Sequence, residues 1–526
     1  MELLLEAVET KSEYDVSELK LKFEVKQIDG RTEEFEFLES VPVKANAIIR
    51  LEEKFISSEL YTFISTQAPT DLGNAKCVKA VYGNHFRYND AFGLLFYNGK
   101  YWISGLVAKS ALRLAIESVF TLRRRIDTSE DVRKCTRTNS NLLNNCATEF
   151  CTLPNIISSP EQFDSYNHLF NVANGVIDLR TGQLLPHSPN FYFTNCSPIE
   201  YKLDADYTKW VDFLDTVILN HKEDGAVSAF LKQSVGYSIS GEMKEECMFY
   251  LQGQPRAGKG TFIFTLANVL GSLFENRGFS TFSSKRNGND QGFDLAGLKG
   301  KRFVSASESD DKTSLNEAVV KNITGRDPIT CSFNGKDQFT YAPMFKIWLS
   351  SNFLPKGNVD DSAFWARIRL ILFSTSFLGK EDKNLKESFR EPAFLEGVLR
   401  WVVEGAKDYY ASSNGLKTPQ CFVDALDQHR EQQDTVAQWI SESWHKQENY
   451  TCYVPTTSLY PAYAAWCQEN DYQPVMKKRL FASLDAKSIK KELVNVKKDG
   501  KWTTVNVIKN FMVDGVKDGF FTLEEK

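Results

Sequence analysis

The segment at residues 247–271, CMFYLQGQPRAGKGTFIFTLANVLG, constrains the fold more than any other part of this 526-residue chain. An apolar, strand-like run leads into a glycine-containing loop with the spacing GxxxxGK, and an apolar helical run follows. This order is the context of a phosphate-binding loop, whose N–H groups and helix N-terminus surround the β- and γ-phosphates of a nucleotide. The residues predicted to bind the cofactor are Gly253, Gln254, Pro255, Arg256, Ala257, Gly258, Lys259, Gly260 and Thr261.

A metal site is predicted from the same loop and from one strand further on. Gly260 occupies the position after Lys259 where the pattern has Ser or Thr, so Thr261 is the predicted hydroxyl ligand of Mg²⁺. The strand-like run RFVSAS ends before Glu308, and ligands bind at the carboxyl ends of strands in open α/β sheets. Glu308 is therefore predicted to hold Mg²⁺ or polarise the attacking water, with Asp310 and Asp311 as weaker candidates.

Two further residues complete the predicted catalytic set of Lys259, Glu308, Asn352 and Arg367. The apolar segment MFKIWLSSN ends in Asn352, which can orient water or contact the γ-phosphate. Arg367 follows in DDSAFWARIRLILF, together with Arg369. The planar guanidinium donates two parallel hydrogen bonds, which suits it to the charge that develops in phosphoryl transfer.

The net charge of −5 excludes a globally basic nucleic-acid coat protein, so any nucleic-acid site must be a local basic patch. The sequence offers two candidates. The segment PITCSFNGKDQFTYAP at 328–343 predicts a hairpin with Lys336 at its tip, either a plain surface hairpin or a basic finger on a phosphate. A basic segment at 476–501 includes Lys477, Lys478 and Arg479. On charge alone, a solvated helix face is the favoured interpretation of this segment, whereas the resemblance described below favours DNA contact.

Composition excludes several other classes. No run of 18 apolar residues occurs, so we expect no membrane span, and the acidic start MELLLEAVETKSEYD does not resemble a signal peptide. The ten cysteines are scattered without a CxxC pair, which favours reduced thiols over zinc and indicates a cytoplasmic protein.

The order and flanks of these motifs resemble superfamily 3 helicases, in the branch of phage, plasmid and large-DNA-virus primase-helicases that includes the poxvirus and satellite-phage proteins. GQPRAGKGTF resembles the family's Walker A motif, FDLAGLKGKRFVSASE its Walker B strand, LSSNFLP its sensor 1 and FWARIRLILF its arginine finger. FNVANGVIDLRTGQLLPHSP and FLKQSVGYSISGE resemble its accessory domain, and LNEAVVKNITGRDPIT resembles the segment before its DNA-binding hairpin. Ser307 and Gly260 depart from the pattern, since relatives often have a second acid and a hydroxyl at these positions.

The resemblance implies an α/β chain: an AAA+-like P-loop ATPase core, an α+β N-terminal accessory region and a C-terminal winged-helix-like domain. The expected domains are residues 1–80 of unknown role, an accessory domain at 81–240, the helicase core at 241–410 and the winged-helix-like domain at 421–526. The implied function is an ATP- and Mg²⁺-dependent replicative DNA helicase of a phage, virus, plasmid or related mobile element, which would act in the host cell's cytoplasm. It would form a homohexameric ring on single-stranded or forked DNA, without a membrane partner and with a separate primase or polymerase, since no primase domain is evident.

Two other functions remain open at this stage. An origin-binding protein could use the ATP site for assembly without processive unwinding. A nucleoside monophosphate kinase is a weaker alternative, because GKGT loops occur there but those compact chains begin near the loop. Measured ATP turnover separates the first from a helicase, and phosphorylation of a nucleoside monophosphate would identify the second.

Overall fold

The structure, a computed structural model, describes residues 20–26, 32–38, 57–282, 295–307, 315–332, 338–447, 452–498 and 501–516. Glu308, Asp310, Asp311 and Lys336 lie outside these ranges. None of the helices in the described ranges is long and apolar enough to span a membrane. All ten cysteines fall within them and are free thiols.

The N-terminal part combines a hairpin, a helical unit and two small antiparallel sheets. Three of its helices share one apolar core, in which Val78, Ile116 and Phe150 are buried. The strands pair antiparallel in the orders β1-β2, β3-β4-β5 and β6-β7-β8. The elements are β1 (Lys20–Lys26), β2 (Thr32–Leu38), α1 (Ser58–Thr66), α2 (Asp71–Tyr82), β3 (Phe86–Asn89), β4 (Gly93–Tyr97), β5 (Trp102–Ser104), α3 (Leu106–Ile126), α4 (Glu130–Cys135), α5 (Ser140–Cys151), β6 (Leu169–Val172), β7 (Gly175–Asp178) and β8 (Gln183–Leu185).

The central part is built on a five-stranded parallel sheet with helices on its faces, which confirms the predicted mixed α/β class. The strand order is β10-β11-β14-β9-β15. The elements are α6 (Thr208–Val217), α7 (Gly225–Ile239), β9 (Met248–Gly253), α8 (Lys259–Leu270), β10 (Phe274–Gly278), β11 (Phe303–Ser307), α9 (Glu317–Thr324), β12 (Ile329–Ser332), β13 (Gln338–Tyr341), β14 (Lys346–Ser351), α10 (Ser362–Trp365), β15 (Ile368–Phe373), α11 (Leu385–Ser388) and α12 (Pro392–Ala411).

Alternate residues of the central strands enter two separate cores, because successive side chains of a strand point to opposite faces. Phe249 and Leu251 of β9 belong to the core shared with α6, α7, α8 and α12. Met248 and Tyr250 of the same strand belong to the core shared with α9 and the β12–β13 hairpin. Both faces are covered, so these strands read as continuous apolar runs rather than as alternating ones.

The C-terminal part has its own apolar core, with Trp439, Tyr463 and Leu480 buried at its centre. Its strands form an antiparallel sheet of order β17-β19-β18 and a separate β16-β20 pair. The helix α13 (Gln420–Gln433) precedes this part, whose elements are α14 (Thr435–Ser443), β16 (Trp444–Lys446), β17 (Tyr453–Pro455), α15 (Thr456–Glu469), α16 (Lys477–Ala486), β18 (Glu492–Lys498), β19 (Lys501–Lys509) and β20 (Phe511–Val513).

Candidate functional site

The predicted phosphate loop connects the carboxyl end of β9 to the first residue of α8. Gly258 adopts a φ of 95°, which favours glycine, and an added Cβ there would lie 2.9 Å from Val217 Cγ1. At Gly253, an added Cβ would lie 2.5 Å from the Phe373 carbonyl oxygen of the neighbouring strand. Both glycines of the GxxxxGK spacing are therefore required by backbone conformation or by close approach.

Lys259 begins α8, and its side chain is directed back along the loop. Its Nζ donates to the Gly253 carbonyl, to the Gln254 carbonyl at 3.0 Å and to Asn352 Oδ1 at 3.1 Å. The residue is only 7% exposed, and burial lowers the pKa of its ammonium to about 8. A cation held this way by neutral oxygens is an incomplete electrostatic arrangement that a phosphate would complete.

Asn352 reaches Lys259 because β14 lies beside β9 in the sheet. Ser351, the last residue of β14, pairs with Gln252, and Gln252 Nε2 donates to the Asn352 carbonyl at 3.2 Å. Lys259 and Asn352 are 93 residues apart in the sequence and meet at one sheet edge. The structure thus brings together two of the four residues predicted to be catalytic.

The predicted metal ligands can be compared with the geometry only in part. Thr261 lies in the first turn of α8, where its N–H donates to the Gly258 carbonyl at 3.0 Å. An added Cβ at Gly260 would meet nothing within 4 Å, so crowding does not explain the missing hydroxyl at that position. Glu308 lies outside the described residues, but Ser307 before it ends β11 and pairs with Ser350 of β14 at the same edge. Within the described ranges, no three His, Cys, Asp or Glu residues form a metal-binding group.

A segment that sequence reasoning missed covers the outer side of the loop. Ser376 Oγ donates to the Pro255 carbonyl at 2.9 Å, and the Phe377 N–H donates to the Arg256 carbonyl at 3.2 Å. The exposed Arg256 side chain approaches Glu381 at 3.6 Å. No sequence motif predicts the role of residues 376–381. Their contacts with the loop arise only because the chain passes beside it after leaving β15.

Arg367 lies at the opposite edge of the sheet from Lys259. It directly precedes β15, and its carbonyl accepts from the N–H of Met248 at 2.8 Å, at the amino end of β9. A six-residue strand separates the two edges by about 20 Å. The Arg367 guanidinium donates to Thr324 Oγ1 at 3.1 Å and lies 3.6 Å from Glu246. Within one chain, Arg367 therefore does not approach Lys259.

The basic segment is divided between solvent and internal contacts. Lys477 and Lys478, at the start of α16, are exposed. Arg479 donates to Asn358 Oδ1 at 3.2 Å, in the loop that follows β14. Lys487, just after α16, forms ion pairs with Asp360 at 2.9 Å and with Asp434 at 2.7 Å.

The predicted hairpin is present as the antiparallel pair β12–β13. Its tip, with Lys336, lies outside the described residues. Its base is firmly packed, since Phe339 and Tyr341 of β13 are each 6% exposed. Phe339 lies 5.9 Å, ring centre to ring centre, from Phe92 in the β3–β4 turn.

Comparison with known proteins supports the family resemblance. Three family models match: D5 N terminal like over residues 75–219, a family of unknown function (DUF5906) over 251–367, and Poxvirus D5 protein-like over 431–518. Among curated proteins, the putative helicase L207/L206 of Acanthamoeba polyphaga mimivirus is 23% identical over 58% of this chain and 34% of its own length. Primase D5 of fowlpox virus is 23% identical over 50% of this chain and 36% of its own length.

A solved structure of the NrS-1 C-terminal region matches with 11% identity and a TM-score of 0.43, covering 84% of this chain and 99% of that one. The chain spans about a third of the length of the two curated relatives. The two matches that flank the central sheet, at residues 75–219 and 431–518, are to D5-type domains. The chain is homologous to viral putative helicases and to poxvirus primase D5, which confirms the predicted resemblance to this viral branch.

Proposed function

We propose that this chain is an ATP-hydrolysing DNA helicase of superfamily 3 that acts in viral genome replication. The observation that carries the proposal is the contact between Lys259 and Asn352 at the carboxyl edge of the parallel sheet. This contact joins a phosphate-loop lysine to a polar residue on the neighbouring strand, where a γ-phosphate would reach both. The homologous viral putative helicases support the assignment to a helicase rather than to a kinase.

The residues of the site divide the work of hydrolysis. Lys259 binds the β- and γ-phosphates, for which the loop N–H groups and the α8 N-terminus provide further donors. Asn352 holds Lys259 in place and orients the attacking water, and Glu308 accepts the proton from that water. Thr261 and Glu308 offer the oxygen ligands that Mg²⁺ prefers, and the ion supplies charge neutralisation at the phosphates.

The position of Arg367 favours a multimeric enzyme. A guanidinium about 20 Å from the carboxyl edge cannot stabilise a transition state bound to the same subunit. It can do so across an interface, in a neighbouring subunit, which is the arrangement of an arginine finger supplied in trans. The proposed assembly is the homohexameric ring implied by the family resemblance, with the Lys336 hairpins in a channel for single-stranded DNA.

We further propose that the C-terminal part is a winged-helix-like DNA-binding domain. The order α14, β17, α15, α16, β18, β19, with the sheet order β17-β19-β18, supports this fold. In that arrangement Lys477 and Lys478 begin the helix that would face DNA. Phe422 and Leu426 of α13 pack into the cores of the central part, so we place the boundary of this domain near residue 434 rather than at 421.

Two variants test the proposed activity. Lys259→Ala should abolish nucleotide binding and ATP turnover, whereas Glu308→Gln should retain binding and lose turnover. Lys417→Ala, which changes an exposed lysine in the loop before α13, is the matched control and should behave as the wild type. Wild-type turnover in Lys259→Ala would show that the phosphate loop is not the site. ATP turnover without strand separation on a forked substrate would favour the origin-binding assembly protein. Residence in the host cytoplasm and a separate primase or polymerase partner stay predictions.

A further inference from the structure

One loop connects the carboxyl ends of the parallel strands, where Lys259 and Asn352 lie, to their amino ends, where Arg367 lies. We call residues 353–361 the bridging loop, since it follows Asn352 and leads into α10, after which comes Arg367. At its start, the Phe353 carbonyl accepts from the Tyr250 hydroxyl at 3.1 Å. Any displacement of this loop would act on the proposed sensor at one end and on the proposed finger at the other.

The inner side of the bridging loop is attached to the helices beside Arg367. The Asn358 N–H donates to Glu317 Oε1 at 2.6 Å, at the start of α9. Trp365 Nε1 in α10 donates to the Asn358 carbonyl at 2.8 Å. Asp361 pairs with Lys321, one turn before the Thr324 that accepts from Arg367.

The outer side of the loop is held by α13, which leads into the C-terminal part. His429 Nε2 lies 3.0 Å from the Pro355 carbonyl, and Gln433 Nε2 donates to the same oxygen at 3.1 Å. Arg430 Nε donates to the Val359 carbonyl at 2.7 Å. These bonds use backbone oxygens of the loop, so they fix its path and not merely one side chain.

The start and end of α16 supply the remaining outer contacts. Arg479 reaches Asn358, and Lys487 lies between Asp360 and Asp434. The two carboxylates are 17% and 16% exposed, and Lys487 is 23% exposed, so this ion-pair triad is poorly screened by solvent. Loss of the lysine would leave two largely buried carboxylates repelling each other across the junction between the loop and the C-terminal part.

We propose that Lys487 and Arg479 are positioning residues for ATP turnover, which hold the bridging loop and thereby couple DNA binding on α16 to the ATP site. This inference rests on the proposed function. The exposed Lys477 and Lys478 lie on the same short helix as Arg479, so a DNA phosphate bound there competes with Asn358 for the Arg479 guanidinium. DNA binding and loop anchoring therefore share one element, and the C-terminal part is a component of the ATP-site machinery as well as a DNA-binding appendage.

The test compares Lys487→Met with Lys487→Arg and with Lys509→Met, an exposed lysine on β19 of the same part. Lys487→Met should lower kcat for ATP about tenfold with little change in KM, a size typical of coupling between sites. Lys487→Arg should retain most of the activity, because it keeps the charge between the two carboxylates. Lys509→Met should match the wild type, and equal loss in this control would assign the effect to general destabilisation and overturn the proposal.

Amide hydrogen exchange on nucleotide-free full-length protein gives a readout that does not need activity. Lys487→Met should speed exchange in residues 353–361 at least about tenfold, and exchange in the α15 core should stay unchanged. Unchanged exchange in the bridging loop would refute the anchoring role even if turnover fell. If Lys487→Met speeds exchange in the bridging loop but the wild type shows no ATP turnover, the anchoring role of Lys487 stands and the proposed function is refuted.

The coupling itself is tested with Arg479→Met. Duplex DNA should change the basal ATP turnover of the wild type, and this response should fall at least about fivefold in Arg479→Met. Duplex affinity is measured in parallel by a fluorescence anisotropy titration. ATP turnover is then compared at DNA concentrations that saturate both proteins. A full DNA response in the saturated variant would show that Arg479 transmits nothing to the ATP site.

Discussion

At the scale of single residues, Lys259 is the most informative group in the molecule. Its contacts in the described structure are with two backbone carbonyls and an amide oxygen, and burial lowers its pKa to about 8. The surrounding oxygens orient the ammonium without neutralising it. Such a group is prepared for a dianionic or trianionic ligand, which would restore the ordinary preference for the charged form.

The lowered pKa predicts that nucleotide binding is linked to proton uptake. Above about pH 8 the free lysine is increasingly neutral, and bound phosphates favour its protonated form, so binding should take up a proton and weaken as pH rises. Titration calorimetry in two buffers of different ionisation enthalpy at pH 8.5 measures this uptake. Lys259→Arg is the control, since an arginine stays charged throughout, and equal uptake in both proteins would contradict the assignment.

Asn352 allows a near-isosteric test of the same electrostatics. Asn352→Asp would place a carboxylate on Lys259, which satisfies the buried ammonium and repels the γ-phosphate. We expect higher thermal stability without ligand, together with ATP affinity that falls at least about tenfold, or about 1.4 kcal/mol. Thermal unfolding and a nucleotide titration measure the two quantities. Loss of stability together with unchanged affinity would place Asn352 away from the phosphates.

At the scale of elements, helix–helix contact on one face of the sheet depends on glycine. An added Cβ at Gly405 of α12 would lie 2.1 Å from the Lys232 carbonyl of α7, and one at Gly236 of α7 would lie equally close to Ala406 N. The two backbones thus approach more closely than any side chain would allow. This contact supports the side of the sheet on which α8 and the phosphate loop are packed.

This close approach predicts that two glycine substitutions change the free energy of unfolding differently. Gly405→Ala should lower the free energy of unfolding by about 1–3 kcal/mol, because the helices must separate to accept the methyl group. Gly225→Ala, at the start of α7, should be neutral or stabilising by up to about 1 kcal/mol, since an added Cβ there meets nothing within 4 Å. Urea denaturation measures both, and equal effects would contradict the packing argument.

The β12–β13 hairpin is an element whose base is held by the N-terminal part. Phe92 contacts Phe339 at 5.9 Å and Phe163 at 5.8 Å between ring centres, and Lys299 Nζ lies 5.8 Å from the rings of Phe92 and Tyr341. Aromatic contacts of this kind restrict the direction in which the hairpin leaves the core. The N-terminal part therefore contacts the base of the hairpin whose tip carries the proposed DNA contact.

Replacing the Phe92 ring by a smaller side chain should affect DNA-stimulated ATP turnover without affecting basal ATP turnover. Phe92→Leu should reduce single-strand-stimulated turnover and unwinding several-fold, with basal ATP turnover retained, because the ATP site lies elsewhere. Lys336→Ala should give the same pattern and also a shallower salt dependence of DNA binding, since one phosphate contact per subunit is lost. Stimulated turnover is measured at saturating DNA, and a wild-type response in both variants would make the hairpin purely structural.

At the scale of the whole molecule, the proposed arginine finger needs a second subunit, because Arg367 lies far from Lys259 within one chain. Arg367→Ala should lower ATP turnover by a factor on the order of 10³ while nucleotide binding survives. Mixing Arg367→Ala with Glu308→Gln should restore some activity, since one interface in the mixed ring pairs an intact arginine with an intact carboxylate. Turnover of the two variants alone and mixed is the measurement. Absence of rescue in freely exchanging subunits would argue against a shared site.

Local sequence determined the strands, the loop and their succession along the chain. The apolar runs before and after GxxxxGK predict β9 and α8 because a run buried on both faces needs no alternation, and Gly253 and Gly258 occupy positions that other residues would crowd. The short strands of 170–189 and the hairpin at 328–343 were predictable for the same reason, from turn residues between apolar segments. The viral resemblance also followed from residues that are local in the chain.

Only the tertiary structure decided which of these residues meet. The parallel order β10-β11-β14-β9-β15 brings Asn352 to Lys259 and sends Arg367 to the far edge, and no periodicity in the sequence encodes strand order. It likewise decided that Lys487 pairs with Asp360 and Asp434 while Lys477 stays exposed, although both lysines belong to one basic stretch. Charge and propensity are properties of neighbours in sequence, whereas the two ion pairs of Lys487 depend on long-range packing that places its partners within 4 Å.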